Sequence, residues 1–215
     1  AANSIWDFCP QLEILLNPSQ GYIFFDDFLT ISDEWTATQA TQGTFVADDA
    51  AGGVVLADCN STTATQGINV QLGTTVGELF IPAAGKDIWF EARIKVADVA
   101  TGPELFVGLA EIDTTVIGAS AVSTSNHIGF SSVTDDNVLL FNGEKATAGT
   151  TSSFTTLVDG TWVRVGFHVN GVTSVTPYLN GLAYGTQLAT ANIPIVEMVP
   201  TFVCQSGGTT DPILH

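Results

Sequence analysis

Positive charge is what this sequence has least of: 215 residues hold five lysines and arginines against 22 aspartates and glutamates, a formal net charge of −17. Affinity for DNA or RNA comes mainly from cations that neutralise phosphates, so this balance argues against a nucleic-acid partner. The same sign disfavours an anionic membrane surface. Cysteine is scarce too. Cys9, Cys59 and Cys204 are too few and too scattered for a disulfide framework, their odd number leaves at least one thiol free, and no C-x-x-C pair offers a structural zinc site. A reducing compartment is the expectation. No stretch reaches the ~18 apolar residues of a membrane span, and no basic segment followed by an apolar run opens the chain. Synthesis in the cytoplasm is therefore expected. The start at Ala1 fits trimming of an initiator methionine and a longer precursor equally well.

What the chain does have is apolar material. Hydrophobic residues make up 45% and charged residues 13%, the balance of a packed globular protein and not of a disordered one. Its length suits a single all-β sandwich, and a domain of this size buries roughly 70% of the surface its unfolded chain exposes. The acidity favours solubility and long-range repulsion, and leaves carboxylates free for divalent cations.

Residues 161–185, TWVRVGFHVNGVTSVTPYLNGLAYG, carry the clearest pattern. Val163, Val165, Phe167 and Val169 alternate with Trp162, Arg164, Gly166 and His168, the period of a strand with one buried face. Asn170-Gly171 and Asn180-Gly181 then read as two-residue hairpin turns. Other strand candidates are YIFFDDF, GGVVLAD, INVQL, ELFI, DIWFEARIKV, ELFVGLAEI, HIGFSSV, NVLLFNG, VTPYLNG and EMVPTFVCQ, separated by Gly, Asn, Asp, Thr and Ser clusters. Their spacing is close to the ~10 residues of sandwiches and barrels. Residues 1–21 differ. Ser4 with Asp7 resembles a capping arrangement, Pro10 fits a first helical turn, and Leu12, Leu15 and Leu16 form a short apolar stripe that Asn17-Pro18 ends. The expectation is an N-terminal arm over 1–21 with one small helix, and a sandwich domain over 22–215. So small a stripe must pack on the sandwich or on a neighbouring subunit.

WVRVGFHVNG followed by VTPYLNGLAYG resembles the tryptophan-led strand and "strand, Asn-Gly, strand" of concanavalin A-like lectin/glucanase domains, in particular the laminin-G-like branch. FFDDFLTISDEWTA resembles the opening strand of that fold and DIWFEARIKV its central core strand. The resemblance spans roughly residues 22–205 and implies a two-sheet antiparallel jelly-roll sandwich. That fold serves lectins, glycan hydrolases, adhesive modules and viral surface proteins, so it specifies architecture more than activity.

Glycoside hydrolases of the fold resemble one another in a strand bearing Glu, Asp and Glu on one face, since retaining chemistry needs a nucleophile and an acid ~5.5 Å apart. Glu111-Ile112-Asp113 matches the first half only, and Thr114, Thr115, Val116 and Ile117 follow where the third acid should stand. The pair therefore reads as strand-end acids. His127, His168 and His215 are isolated in the sequence, no G-x-S-x-G elbow occurs, and the cysteines lack an activating partner. No catalytic residue is assigned and a non-enzymatic role is expected.

Binding is the alternative to chemistry. In DIWFEARIKV, Ile88, Phe90, Ala92, Ile94 and Val96 share one face and Trp89, Glu91, Arg93 and Lys95 the other. Trp162, Arg164 and His168 oppose the valines of their own strand. If the two strands are neighbours, as the resemblance implies, Trp89, Arg93, Trp162, Arg164 and His168 form one amphipathic patch. Such a patch can stack sugar rings, anchor another protein, or cover the sandwich edge beneath the arm. Asp26-Asp27, Asp48-Asp49 and Asp135-Asp136-Asn137 are oxygen-rich groups suited to calcium, with Asp135, Asp136 and Asn137 the best candidate. Turn formation explains them as well. The leading expectation is a structural component of a virus particle, a bacteriophage decoration, fibre or knob protein on its outer surface. Its partners would be other virion proteins or copies of itself in a homo-oligomer, with glycans as further ligands. A carbohydrate-binding lectin outside any virion, located extracellularly, is the alternative.

Overall fold

In a computed structural model of the chain, all residues are described except 1–3, 8, 18, 20, 49, 51, 74–79, 100–102, 119–120, 134–136 and 209–210, with only the backbone for 38–41. Two antiparallel layers dominate. The larger is a seven-stranded sheet in the order Trp35–Thr41, Gly67–Leu72, Val199–Gln205, Glu104–Ala110, His127–Ser132, Val138–Lys145, Ala148–Thr156. The smaller runs Leu182–Ala183, Ser174–Leu179, Val163–Asn170, Ile88–Ile94, with Leu188–Ala189 also on Ser174–Leu179. A four-stranded sheet joins Thr44–Ala47, Val55–Asp58, Ile213–Leu214 and Val96–Ala97.

Alternation along the strands builds the interior between the layers. Leu105, Val107 and Leu109, Ile128 and Phe130, and Leu139 and Phe141 point in from the large sheet, and Val165, Phe167 and Val169 meet them from the small one. Phe130 and Phe141 each lie 6.2 Å, centroid to centroid, from Phe167, so aromatic rings tie the layers directly. The all-β antiparallel sandwich with one small N-terminal helix is the architecture the sequence implied.

Local departures have physical causes. Asn180-Gly181 is the two-residue hairpin expected, with Leu179 opposite Leu182 and positive φ at both turn residues (52° and 83°). At Asn170-Gly171 the expectation fails: Asn170 pairs with Ser174, which makes 171–173 a three-residue loop closed by the Thr173 N–H on the Asn170 carbonyl. YIFFDDF is not a strand. Its residues lie outside every sheet: Phe28 takes a positive φ (53°), and Asp26 turns its carboxylate to the Phe28 N–H (2.7 Å) and the Trp35 indole (2.8 Å). Ala148–Thr156 is a full nine-residue edge strand that polar alternation of Thr and Ser concealed.

The arm holds the sandwich through Ile5, which is 2% exposed, donates its N–H to the Gly181 carbonyl (3.2 Å) and lies over Gly166. Gly166 has to be glycine there: an added Cβ would stand 2.5 Å from the backbone carbonyl oxygen of Phe90, and 2.8 Å from Ile5 Cδ1. Ser4 and Asp7 do cap a turn, the Ser4 N–H donating to Asp7 Oδ2 (2.8 Å), but ahead of the helix, which spans Gln11–Leu16 with Pro10 at its N-cap. Its stripe is not packed: Leu12, Leu15 and Leu16 are 68%, 69% and 75% exposed. Within one copy, the sandwich does not cover it.

Candidate functional site

The five patch residues expected from sequence meet on the outer face of the small sheet. Ile88–Ile94 and Val163–Asn170 pair so that Arg93 faces Arg164 and Trp89 faces His168. Trp89 and His168 stack at 4.9 Å with 12° between planes, and His168 Nε2 lies 3.0 Å from Asp87 Oδ2. Two arginines directly opposite would repel. They part instead: Arg93 caps the Trp162 ring at 4.1 Å, joined by Lys95 at 5.1 Å, while Arg164 turns to Glu91 (3.9 Å) and donates to the Asn180 carbonyl (3.2 Å). Trp6 of the arm reaches the same face, 3.5 Å from Glu91 Oε1. Exposed pairs of this kind contribute only about 0.2–1 kcal/mol each. These contacts therefore add little to stability, and one face of each indole is already in use.

A second site lies on the far side of the large sheet, where the sequence showed Glu111, Asp113 and His127 but gave no reason to join them. Glu104–Ala110 is buried at every position, and Val116 and Ile117 fold back over it to form a second apolar cluster with Phe106, Ala110 and Val203. Three side-chain amides hold that loop. Asn69 donates to the Asp113 carbonyl (2.7 Å), Gln205 to the Ile117 carbonyl (3.1 Å), and Gln71 both donates to the Glu111 carbonyl (2.9 Å) and accepts from the Asp113 N–H (2.9 Å). The Glu111 carboxylate accepts from the Asn126 N–H and side-chain amide, and Asp113 from the Thr115 N–H and the Ser125 hydroxyl. Both acids are thus engaged as clasps of their own loop.

Beside the loop is a depression of about 250 Å³ lined by Ser123, His127, Ser131, Asn142, Glu144 and Thr151 with a few apolar neighbours. His127 is 4% exposed, packs edge-on against Phe106 and places Nδ1 2.8 Å from the Ser125 carbonyl. Burial pushes its pKa down to about 4, the carbonyl hydrogen bond opposing, so the imidazole is neutral at pH 7 with Nδ1–H as donor. Loss of hydration raises the Glu144 pKa. Asn142 donates to the Ser131 hydroxyl at 2.6 Å. His127 and Glu144 are cross-strand partners 17 residues apart in sequence, a juxtaposition that only strand register creates.

Of the calcium candidates, Asp135 and Asp136 lie outside the described residues, and the Asn137 carbonyl accepts the Leu157 N–H (2.8 Å). Asp26 and Asp27 serve turns, accepting from the Phe28 and Leu29 N–H groups. Asp49 is likewise outside the described residues. Among the described residues no three His, Cys, Asp or Glu converge to hold a metal. The three cysteines are free, and burial with the neighbouring Asp211 carboxylate pushes the Cys59 thiol up to about 12. No helix among the described residues is long and apolar enough to cross a membrane.

No protein-family model and no curated protein sequence matches this chain. Solved structures do. A Bacteroides ovatus mixed-linkage glucan glycoside hydrolase of family 16, in complex with its G4G4G3G product, aligns with TM-score 0.59 at 11% identity over 89% of this chain and 97% of that one. The globular domain of T. cruzi calreticulin aligns with TM-score 0.56 at 9% identity, covering 90% and 88% of the two chains. The Emp47p carbohydrate recognition domain gives TM-score 0.56 at 7% identity, covering 88% and 89%. At such identities the likeness concerns the fold alone, and what this chain shares with its neighbours is the concanavalin A-like jelly roll.

Proposed function

We propose that the chain is a non-enzymatic structural jelly roll of a virus particle, of the decoration, fibre or knob kind found on bacteriophages, docked on other particle proteins or on copies of itself. One observation carries the reading: Leu12, Leu15, Leu16, Tyr22, Ile23, Phe25 and Leu29 are all exposed large apolar side chains within 18 residues of an otherwise packed and strongly acidic protein. A monomer free in solution gains nothing from such a segment and risks aggregation. The engagement of Glu111 and Asp113 by their own loop supports a role without catalysis. Cryo-electron microscopy of the native assembly tests this. The expected image shows the jelly roll in fixed stoichiometry on a symmetric particle; a stable 22.5 kDa monomer found apart from any particle overturns it.

A second reading, binding of carbohydrate, is favoured by the depression beside His127, whose hydroxyls, amide, carboxyl and neutral imidazole suit a polyol. The Emp47p domain and the Bacteroides ovatus hydrolase, by their descriptions, handle sugars on the same fold. On a glycan array at millimolar sugar, loss of at least tenfold in Trp89→Ala and Trp162→Ala assigns a bound glycan to the outer patch, and the same loss in Glu144→Gln assigns it to the depression. No binding by the wild-type chain dismisses the reading.

A further inference from the structure

The depression beside His127 has its donors committed to the protein and its acceptors turned to the space. Two cross-strand rows on the outer face of the large sheet build its polar walls: His127 beside Glu144 beside Gly149, and Gly129 beside Asn142 beside Thr151. Ser131, on the strand of His127, and Ser123, on the loop that follows Glu104–Ala110, complete them. The His127 Nδ1–H goes to the Ser125 carbonyl (2.8 Å), which leaves Nε2 as a lone-pair acceptor. The Asn142 side-chain N–H goes to the Ser131 hydroxyl (2.6 Å), which leaves Oδ1, and the Ser123 hydroxyl goes to that of Ser125 (3.0 Å).

Glu144 adds the charge. Its carboxylate lies over Gly149, where an added Cβ would overlap Oε2, so the missing side chain is what seats it. No lysine or arginine lines the depression, and the Glu144 pKa is raised by loss of hydration with no cation opposing. His127 and Asn142 are each 4% exposed. Acceptors so deeply placed discriminate strongly in favour of a ligand that donates to them and against one that leaves them unmet. The volume, about 250 Å³, falls below the ~300–1,000 Å³ of sites for drug-sized ligands, so one small ring fits and a longer chain does not. A sugar hydroxyl brings one donor to this set, whereas a primary ammonium group brings three donors and a positive charge. A carboxylated sugar would set acceptors against acceptors and an anion against Glu144.

We propose that the depression binds a sugar bearing a free primary ammonium group, a single hexosamine unit, with the –NH3+ among the Glu144 carboxylate, His127 Nε2 and Asn142 Oδ1 and the ring hydroxyls toward Ser131 and Thr151. The proposal rests on the carbohydrate reading above and adds to it the class of sugar and the groups that select it.

The test titrates the full ¹⁵N-labelled chain with methyl glycosides of glucosamine and galactosamine, of their N-acetyl forms, and of glucose and galactose, followed by amide NMR. An amino sugar is expected to shift the amides of His127, Asn142 and Glu144 and to bind at least tenfold more tightly than its neutral and N-acetyl counterparts, the margin of a charged over a neutral hydrogen bond. Glu144→Gln removes the charge, and Gly149→Ala keeps it but unseats it, so in both variants the ratio of the two affinities should fall toward one. That ratio compares two ligands on one protein, and a general loss of stability does not move it. Equal affinity for charged and neutral sugars, shifts confined to other surfaces, or a preference untouched by both variants overturns the proposal. Neutral sugars bound at these residues without preference for the amine leave the carbohydrate reading standing and this proposal fallen, whereas failure of every sugar to bind removes both.

Discussion

Phe130→Ala is expected to lower the stability of the domain by about 3–5 kcal/mol, the range for deleting a fully buried phenylalanine. Phe130 is completely buried, 4.8 Å from Phe154, 5.1 Å from Phe141 and 6.2 Å from Phe167, centroid to centroid, so its ring touches neighbours on both layers. Collapse into the cavity is resisted because its strand is laddered on both sides, to Glu104–Ala110 and to Val138–Lys145. With melting shifts of ~2–4 °C per kcal/mol at this size, calorimetry should record a fall of roughly 6–20 °C. Phe130→Leu, which keeps most of the volume, should cost less than half as much. A loss under about 1.5 kcal/mol for the alanine variant, within the range of a volume-conserving swap, would mean that the inter-sheet ring cluster is not the centre of the core.

Much of this fold was legible because single strands with one buried face announce themselves. Val163–Asn170 alternates through eight residues, Ile88–Ile94 alternates in step, and the resemblance implied that the two are neighbours, which is how Trp89, Arg93, Trp162, Arg164 and His168 were expected to form one patch. Two kinds of region resisted. Ala148–Thr156 lies at a sheet edge, where little apolar burial is needed and Thr and Ser carry the strand. YIFFDDF has the composition of a strand but no edge to pair with, since Asp26 commits it to a turn and to the Trp35 indole. Local pattern reports propensity, and pairing is decided by what lies alongside.

The second site was hidden for a related reason. Glu104–Ala110 reads as an apolar run, which does not reveal that its outer face is covered by the residues that immediately follow it. The signal that was available is polar: Asn69, Gln71, Thr201 and Gln205 occupy alternate positions in two strands whose other residues are apolar, and a row of amides on one face of a core strand must find partners. Those partners are the carbonyls of the 111–126 loop. The acid pair Glu111 and Asp113, legible as a half-match to a catalytic strand, is thereby explained as the start of a clasp.

The buried histidine of that site makes stability depend on pH in a definite direction. An unfolded chain holds His127 near 6.5, whereas burial lowers it to about 4 in the fold. Above pH 6.5 the imidazole is neutral in both states and its contribution is fully present. As pH falls from 6.5 toward 4 the unfolded state takes up a proton that the folded state refuses, so stability declines, by roughly 3 kcal/mol in total at 1.36 kcal/mol per pH unit of displacement. His215, also lowered by burial, acts in the same sense. Glu144, opposite His127 and with a raised pKa, acts the other way: it keeps its proton in the fold where the unfolded chain has lost it, offsetting part of the decline just above pH 4.5. Urea denaturation at pH 7.5 and pH 4 should show the difference. In His127→Asn the amide can still donate to the Ser125 carbonyl but carries no titratable group, so the variant should lose far less stability over that interval than the wild type. Parallel losses in the two proteins would mean that the imidazole is reached by water in the fold, and with it that the depression beside Phe106 is wetter and more open than its walls imply.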